Sequence, residues 1–475
     1  MSVAQTDRGA WTYGAGELAA LIGRGELTAR EVVQAHLDRI GQVNPAVNAI
    51  TRVLADTALA EADRVDAAVR SGEQVGPLAG VPFTVKENLD VAGLPTTEGV
   101  VAYAERRAEV DAPSVAGLRR AGAIPIGRTN MPDFGMRWHT DNALYGATVN
   151  PWDATRSAAG SSGGEAVALA TGMSPLGLGN DYGGSIRLPS AAAGTVGLRP
   201  TAGRVPTWSS TNPLPLPPTL QLFAVDGPMA RRVDDVRLAY QGVCGCDPRD
   251  PLWVPAPALL PVPERLRVAV TADPGDDGVD PSVVDAVRRV ADALVDAGAV
   301  VEEVQPPHVL EAAQLWRTLT TAEAQGLLER LVKPLGSADT AAYLEQSLEH
   351  VPVLDRSGYI EGLARRHAIA AAWSRFFADH DLVLGPVGTR QIHPVGFDLG
   401  GPENADTLWH AHRLVVTVNL LGLPSLAVPA GLDQDGLPQG VQLIGNRYHE
   451  STCLDAGALV ERALGTLTPI DPRSA

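Results

Sequence analysis

The sequence predicts an α/β protein with a mixed, mostly parallel central sheet flanked by helices. Three observations point that way: strand-like and helix-like segments alternate around 113–126 and again around 266–304, a lysine ends a short apolar run, and two glycine-rich clusters carry serines. At 475 residues the chain is long for one core, yet large α/β proteins keep one continuous sheet at this size.

In chain order, residues 1–70 predict an N-terminal helical layer and residues 71–475 a larger domain interrupted by a helical insertion at about 305–380. Thr28 and Glu31 have capping-box spacing, with Val33, Leu37 and Ile40 recurring on one helical face. Residues 81–85 form an apolar strand that delivers Lys86 at its C-terminal end, the edge of an open sheet where ligands bind. Pro113–Arg120 reads as a helix closed by Gly122 and followed by a strand at 123–126. The same grammar returns as a strand at 266–270, a helix at 281–297 with Val283, Val287, Val290 and Leu294 on one face, and a strand at 300–304. The prolines of 247–263 mark a surface connection, 308–350 and 359–380 are helical by period, and 381–385 is a further buried strand.

Composition narrows the function. Hydrophobic residues make up 45% and charged residues 20%, enough apolar material for a sizeable core. The excess of 55 Asp and Glu over 38 Lys and Arg gives a net charge of −17, which opposes phosphate backbones and anionic lipid, so neither nucleic acid nor membrane is expected as a partner. Cys244, Cys246 and Cys453 are too few for a disulfide framework and lack zinc spacing. His410 and His412 diverge by about 200° on a helix, so no metal is expected there either. Residues 1–14 are polar and lack a signal-peptide core, which makes the cytoplasm the expected location. The apolar stretch 414–429 is broken by Asn419, Gly422, Pro424 and Ser425 and falls short of a membrane span.

The chemistry lies in Gly160-Ser161-Ser162-Gly163-Gly164 and Asp181-Tyr182-Gly183-Gly184-Ser185-Ile186-Arg187. Glycines at this density let backbone N–H groups approach a ligand, so a serine among them can meet an oxyanion pocket made of main chain. A serine hydroxyl needs a base, and neither a histidine in triad context nor a Gly-x-Ser-x-Gly elbow is present. Lys86 is the better candidate. Neutrality at pH 7 costs an ordinary lysine about 4.6 kcal/mol, which burial at the end of an apolar strand would offset. Glu87, one residue on, should face the other way.

With Gly80-Val81-Pro82-Phe83-Thr84-Val85-Lys86-Glu87-Asn88, the two serine clusters, Gly197-Leu198-Arg199-Pro200-Thr201 and Gly440-Val441-Gln442-Leu443-Ile444-Gly445 in view, the chain resembles the amidase signature family of serine hydrolases over nearly its whole length. The resemblance implies that 71–475 is the catalytic domain. It also implies Ser185 as acylated nucleophile, Ser161 as a bridging serine after a cis peptide, and Lys86 as base. The N–H groups of Tyr182, Gly183, Gly184 and Ser185 would form the oxyanion hole. Ser162 would support Ser161, and Asp181 with Arg187 would hold the loops together. No cofactor is implied. Asn180 and Tyr182 replace threonines common in this loop, and Tyr182 either walls the acyl pocket or packs in the core.

The aromatic run at 131–145, with Phe134, Met136, Trp138, His139 and Tyr145, is a candidate substrate wall. Trp208, Leu214, Leu216 and Phe223 are candidates for its mouth. The expected substrate is a small aryl or alkyl amide, with esters and carbamates (urethanes) open to the same tetrahedral chemistry and water as the second reactant. Two alternatives stand beside it: a component of an amidotransferase for aminoacyl-tRNA, or a non-catalytic binding protein of the same fold. The sequence leaves the oligomeric state open, a homodimer included.

Overall fold

A capping box opens the first long helix. Thr28 Oγ1 accepts the Glu31 N–H at 3.1 Å, the Glu31 carboxylate accepts the Thr28 N–H at 2.9 Å, and the helix Ala29–Val47 follows. The computed structural model describes residues 9–212 and 215–473, so the first eight residues of the polar N-terminal segment and Leu214 lie outside the described residues.

Among the described residues eleven strands form one sheet: β1 (Ile50–Val53), β2 (Pro82–Lys86), β3 (Ile124–Thr129), β4 (Leu176–Asp181), β5 (Val196–Arg199), β6 (Val225–Ala230), β7 (Arg267–Val270), β8 (Val300–Glu303), β9 (Leu382–Pro386), β10 (Ser425–Leu432) and β11 (Pro438–Gly445). Their order is β1-β3-β2-β4-β6-β5-β10-β11-β9-β7-β8. The mixed sheet flanked by helices is as expected, but the parallel share is smaller. Parallel pairing is confined to β3-β2-β4 on one side and β9-β7-β8 on the other, where the crossover helices Pro113–Arg120 and Pro281–Asp296 were legible. The middle of the sheet and the β1 edge are antiparallel. The β10-β11 hairpin turns through Asp433–Leu437, a short link that only antiparallel neighbours allow. A second difference lies within 15–70, where four residues between two helices form β1 and pair with β3.

Both faces of the sheet are covered. Leu382, Leu384, Leu426, Val428 and Leu443 join one apolar cluster with the N-terminal helices and Pro281–Asp296. Val383, Ala427 and Ile444 point the other way, into a cluster with the helices Val309–Leu327, Arg356–Asp379 and Arg413–Leu421. Burial on both sides explains why these strands read as continuous apolar runs rather than alternating ones. Phe83 and Val85 belong to the first cluster, which leaves Thr84 and Lys86 on the opposite face. Among the described residues no helix is long and apolar enough to cross a membrane.

Candidate active site

Because β2 and β4 are parallel, Lys86 and the loop after Asp181 emerge at the same edge of the sheet. Ser161 precedes the helix Gly163–Ala170 and Ser185 precedes the helix Arg187–Ala193, so both serines sit in turns brought to that edge. The Ser162 N–H donates to the Ser185 carbonyl at 3.1 Å and joins the two turns. The Gly160–Ser161 peptide is cis.

Lys86 is fully buried. Its Nζ donates to Ser161 Oγ at 2.7 Å and to Asn180 Oδ1 at 2.5 Å. Burial pushes the ammonium down to about 7, against the carboxylates of Asp181, Asp226 and Glu165, which favour the charged form. Glu87 turns away, accepting from Thr51 and Thr97 and facing Arg128 at 3.8 Å. Ser185 is nearly buried, and its Oγ has no hydrogen-bond partner among the described residues.

Asp181 organises the glycine loop. Its carboxylate accepts from the N–H groups of Gly184 at 3.0 Å and Ile186 at 3.2 Å, from Asn419 Nδ2 at 2.8 Å, and from Arg187 through two bonds of 3.0 Å. Burial works to raise this carboxyl, but the charge and hydrogen bonds of Arg187 outweigh it and hold the group well below the usual carboxylate range. Arg187 also reaches Gln442 at 2.9 Å and Asn419 at 2.7 Å. Replacing Asp181 by alanine would strand this buried guanidinium. A loss of about 3–5 kcal/mol in urea unfolding is expected, against little change for a surface control such as Glu105→Ala.

The bond to Asp181 changes one expectation. The Gly184 N–H is already satisfied, whereas those of Tyr182, Gly183 and Ser185 have no acceptor among the described residues. Of the four amides expected to face an oxyanion, three are therefore unspent. Gly184 itself is held at φ +95°, where a Cβ would meet Val415 Cγ1 at 2.3 Å. Ser162 is fully buried and its hydroxyl finds no partner among the described residues, so its link to this site runs through its backbone N–H.

A cavity of about 180 Å³ covers these loops, with Ser161, Asn180, Tyr182, Gly183 and Ser185 in its floor. Phe134, Met136 and Trp138 line its walls. Tyr145 and Trp208 do not. Tyr145 follows Asn142, whose side chain accepts its N–H at 2.7 Å, and its carbonyl is bonded to Asn48 beside the β1 edge. Trp208 is 36% exposed, under the Arg249 guanidinium. Leu216 is exposed and Phe223 is core, while Pro217 and Leu220 line the cavity in their place.

The walls that the sequence did not reveal come from the helices Val309–Leu327, Ala338–Glu349 and Pro402–Ala411: Trp316, Leu327, Tyr343, Leu344 and Trp409. Trp138, Trp316 and Trp409 form a chain of rings with centroids 5.0 and 5.2 Å apart. A Cβ at Gly183 would stand 2.9 Å from Trp316 Cη2, which seats that indole on the serine loop. Tyr182 serves as wall: its hydroxyl meets Thr219 Oγ1 at 2.6 Å, and Thr219 and Tyr359 in turn donate to Glu323. A larger cavity of about 560 Å³ lies by Asp280, Arg390 and Asp433, but Ser161, Ser185 and Lys86 are not in its lining. His412 packs edge-on against Trp138, and His410 pairs with Asp277 at 3.3 Å.

The family model described as Amidase matches residues 31–454. An indoleacetamide hydrolase of Bradyrhizobium diazoefficiens is 39% identical, over 96% of this chain and 87% of its own length. A glutamyl-tRNA(Gln) amidotransferase subunit of Salinispora arenicola is 35% identical, over 96% and 98% of the two chains. Among solved structures, that of 6-aminohexanoate cyclic dimer hydrolase with its substrate superposes with a TM-score of 0.84 at 29% identity, covering 98% of this chain and 99% of that one.

Proposed function

This chain belongs to the amidase signature family, and on that premise we propose that it hydrolyses small neutral carboxamides through an acyl-enzyme on Ser185. The observation that carries this reading is the 2.7 Å bond from a fully buried Lys86 to Ser161, beside a serine loop with unspent amides. Neutral Lys86 takes a proton from Ser161 as Ser161 takes one from Ser185, and Ser185 Oγ attacks the carbonyl carbon. The Ser161–Ser185 hydrogen bond closes with substrate in place, since catalytic hydrogen bonds often tighten only in the Michaelis complex. The N–H groups of Tyr182, Gly183 and Ser185 face the developing oxyanion. The proton returns through Ser161 to the leaving amine, and water then releases the acyl group by the same relay.

The tryptophan chain supports an aryl-bearing acyl group, and the relative named for indoleacetamide agrees with it. Alkyl amides, esters and carbamates share the tetrahedral chemistry. The relatives named as amidotransferase subunits favour a second reading, in which the chain works within an assembly on aminoacyl-tRNA. A panel of arylacetamides, anilides, aliphatic amides, aryl esters and carbamates, given to the chain alone without ATP, separates the two. We expect product, fastest from aryl-bearing amides, and silence across the panel would overturn the hydrolytic reading. Trp316→Ala is expected to lower kcat/KM for the best arylacetamide by about 10- to 100-fold and for acetamide far less, through loss of a buried aromatic wall.

A further inference from the structure

Beneath the base lies a carboxyl group that the relay does not use. Glu165, on the helix Gly163–Ala170, is fully buried, and its carboxyl spans three adjacent strands. Thr84 Oγ1 on β2 donates to one oxygen and Thr129 Oγ1 on β3 donates to the other at 2.8 Å. Gly177 on β4 leaves the room, since a Cβ there would stand 1.9 Å from Glu165 Oε1. Thr84 and Lys86 share one face of β2, and Thr129 is the parallel partner of Lys86. The carboxyl is thus wedged against the strand that presents the base. Among the described residues no cation forms an ion pair with it.

We propose that Glu165 is a positioning residue for the base: its carboxylate, held by Thr84 and Thr129 against the strand of Lys86, stabilises protonated Lys86 and so helps set the pH at which the amine is free to act. The inference rests on the Ser185–Ser161–Lys86 reading above. Two other carboxylates act on Lys86 ahead of Glu165: Asp181, paired with Arg187 and flanked by Arg199, and Asp226, which lies across the ladder from Asn180 and accepts from Ser114 at 2.9 Å. Arg128 donates to the Lys86 carbonyl at 3.2 Å and faces Glu87 at 3.8 Å, so its charge bears on both carboxylates. Burial pushes Glu165 up to about 7, while the two threonines and the charges of Lys86 and Arg128 pull it back. Asp226 is raised to about 7 by burial as well. As the proton of Ser185 arrives on Lys86, positive charge appears beside the Glu165 carboxylate, and it leaves again when the amine departs with that proton.

Without the carboxylate, Lys86 holds its proton less tightly and the acidic limb of the pH profile moves down. The test is the rate at which a fluorophosphonate labels Ser185, followed by intact mass from pH 5 to 10, in the wild type, Glu165→Gln and Thr129→Val. In the wild type, labelling should rise through about pH 7. In Glu165→Gln the midpoint should fall by about one pH unit with the plateau kept within a few-fold. Thr129→Val, which strips one donor from the carboxylate, should shift it the same way by less. Midpoints that stay in place overturn the inference, as does a lowered plateau with an unmoved midpoint, the mark of a purely structural role. If Glu165→Gln fails to fold, Thr129→Val decides. A wild type that is not labelled at Ser185 overturns the hydrolytic reading instead.

Discussion

Ser185→Ala is expected to reduce turnover of the best amide by on the order of 10⁴- to 10⁶-fold, because a triad of this kind works as a unit and little survives loss of its nucleophile. The fold should tolerate the change. The Ser185 hydroxyl has no partner among the described residues, and the loop is held by Asp181, Arg187 and the Ser185 carbonyl, all untouched by the substitution. Intact mass after incubation with an activated aryl ester or carbamate separates the outcomes. The wild type should gain one acyl group and the variant none. An adduct that persists in Ser185→Ala would place the nucleophile elsewhere.

Lys86→Met should cost about 10³-fold or more in kcat/KM and, more tellingly, remove the acidic limb of the profile. In the proposed relay the working form of Lys86 is the neutral amine, so wild-type activity should rise with pH through about 7 and be lost below it as the ammonium returns. An unburied lysine would place that limb near pH 10, and at pH 7 the difference is worth about 4.6 kcal/mol of free base. Methionine keeps the length and apolar stem but can neither accept a proton nor bond to Ser161 and Asn180. Its residual rate should be flat across pH 6–9. Full activity, or a limb that stays at pH 7, would assign the base to another group.

The floor of the site was legible in the sequence because its chemistry is written locally. Glycines flank each serine within a few residues, and a lysine closing an apolar strand has one obvious edge to reach. The capping box, the crossover helices and the strands around them are likewise short-range patterns. What escaped depends on tertiary contact. Asn180 stood out only as a departure from a pattern, yet it bonds to Lys86 because β4 lies beside β2. The spent amide of Gly184 follows from the position of the Asp181 carboxylate in three dimensions. Trp316, Tyr343 and Trp409 reach the serine loop from helices well over a hundred residues downstream, and no local period marks which side chains will meet. Trp208, by contrast, looked like a pocket residue by type and sequence neighbourhood, but Arg249 covers its ring at the surface. β1 was hidden because four residues between two helices carry too little pattern to outweigh their surroundings.

The proposed reacting groups and the far walls of the cavity are encoded in separate stretches of the gene: the first by residues 86–187, the second largely by 309–349 and Trp409. Recombination confined to that later stretch should therefore reshape the far walls while residues 86–187 are inherited intact.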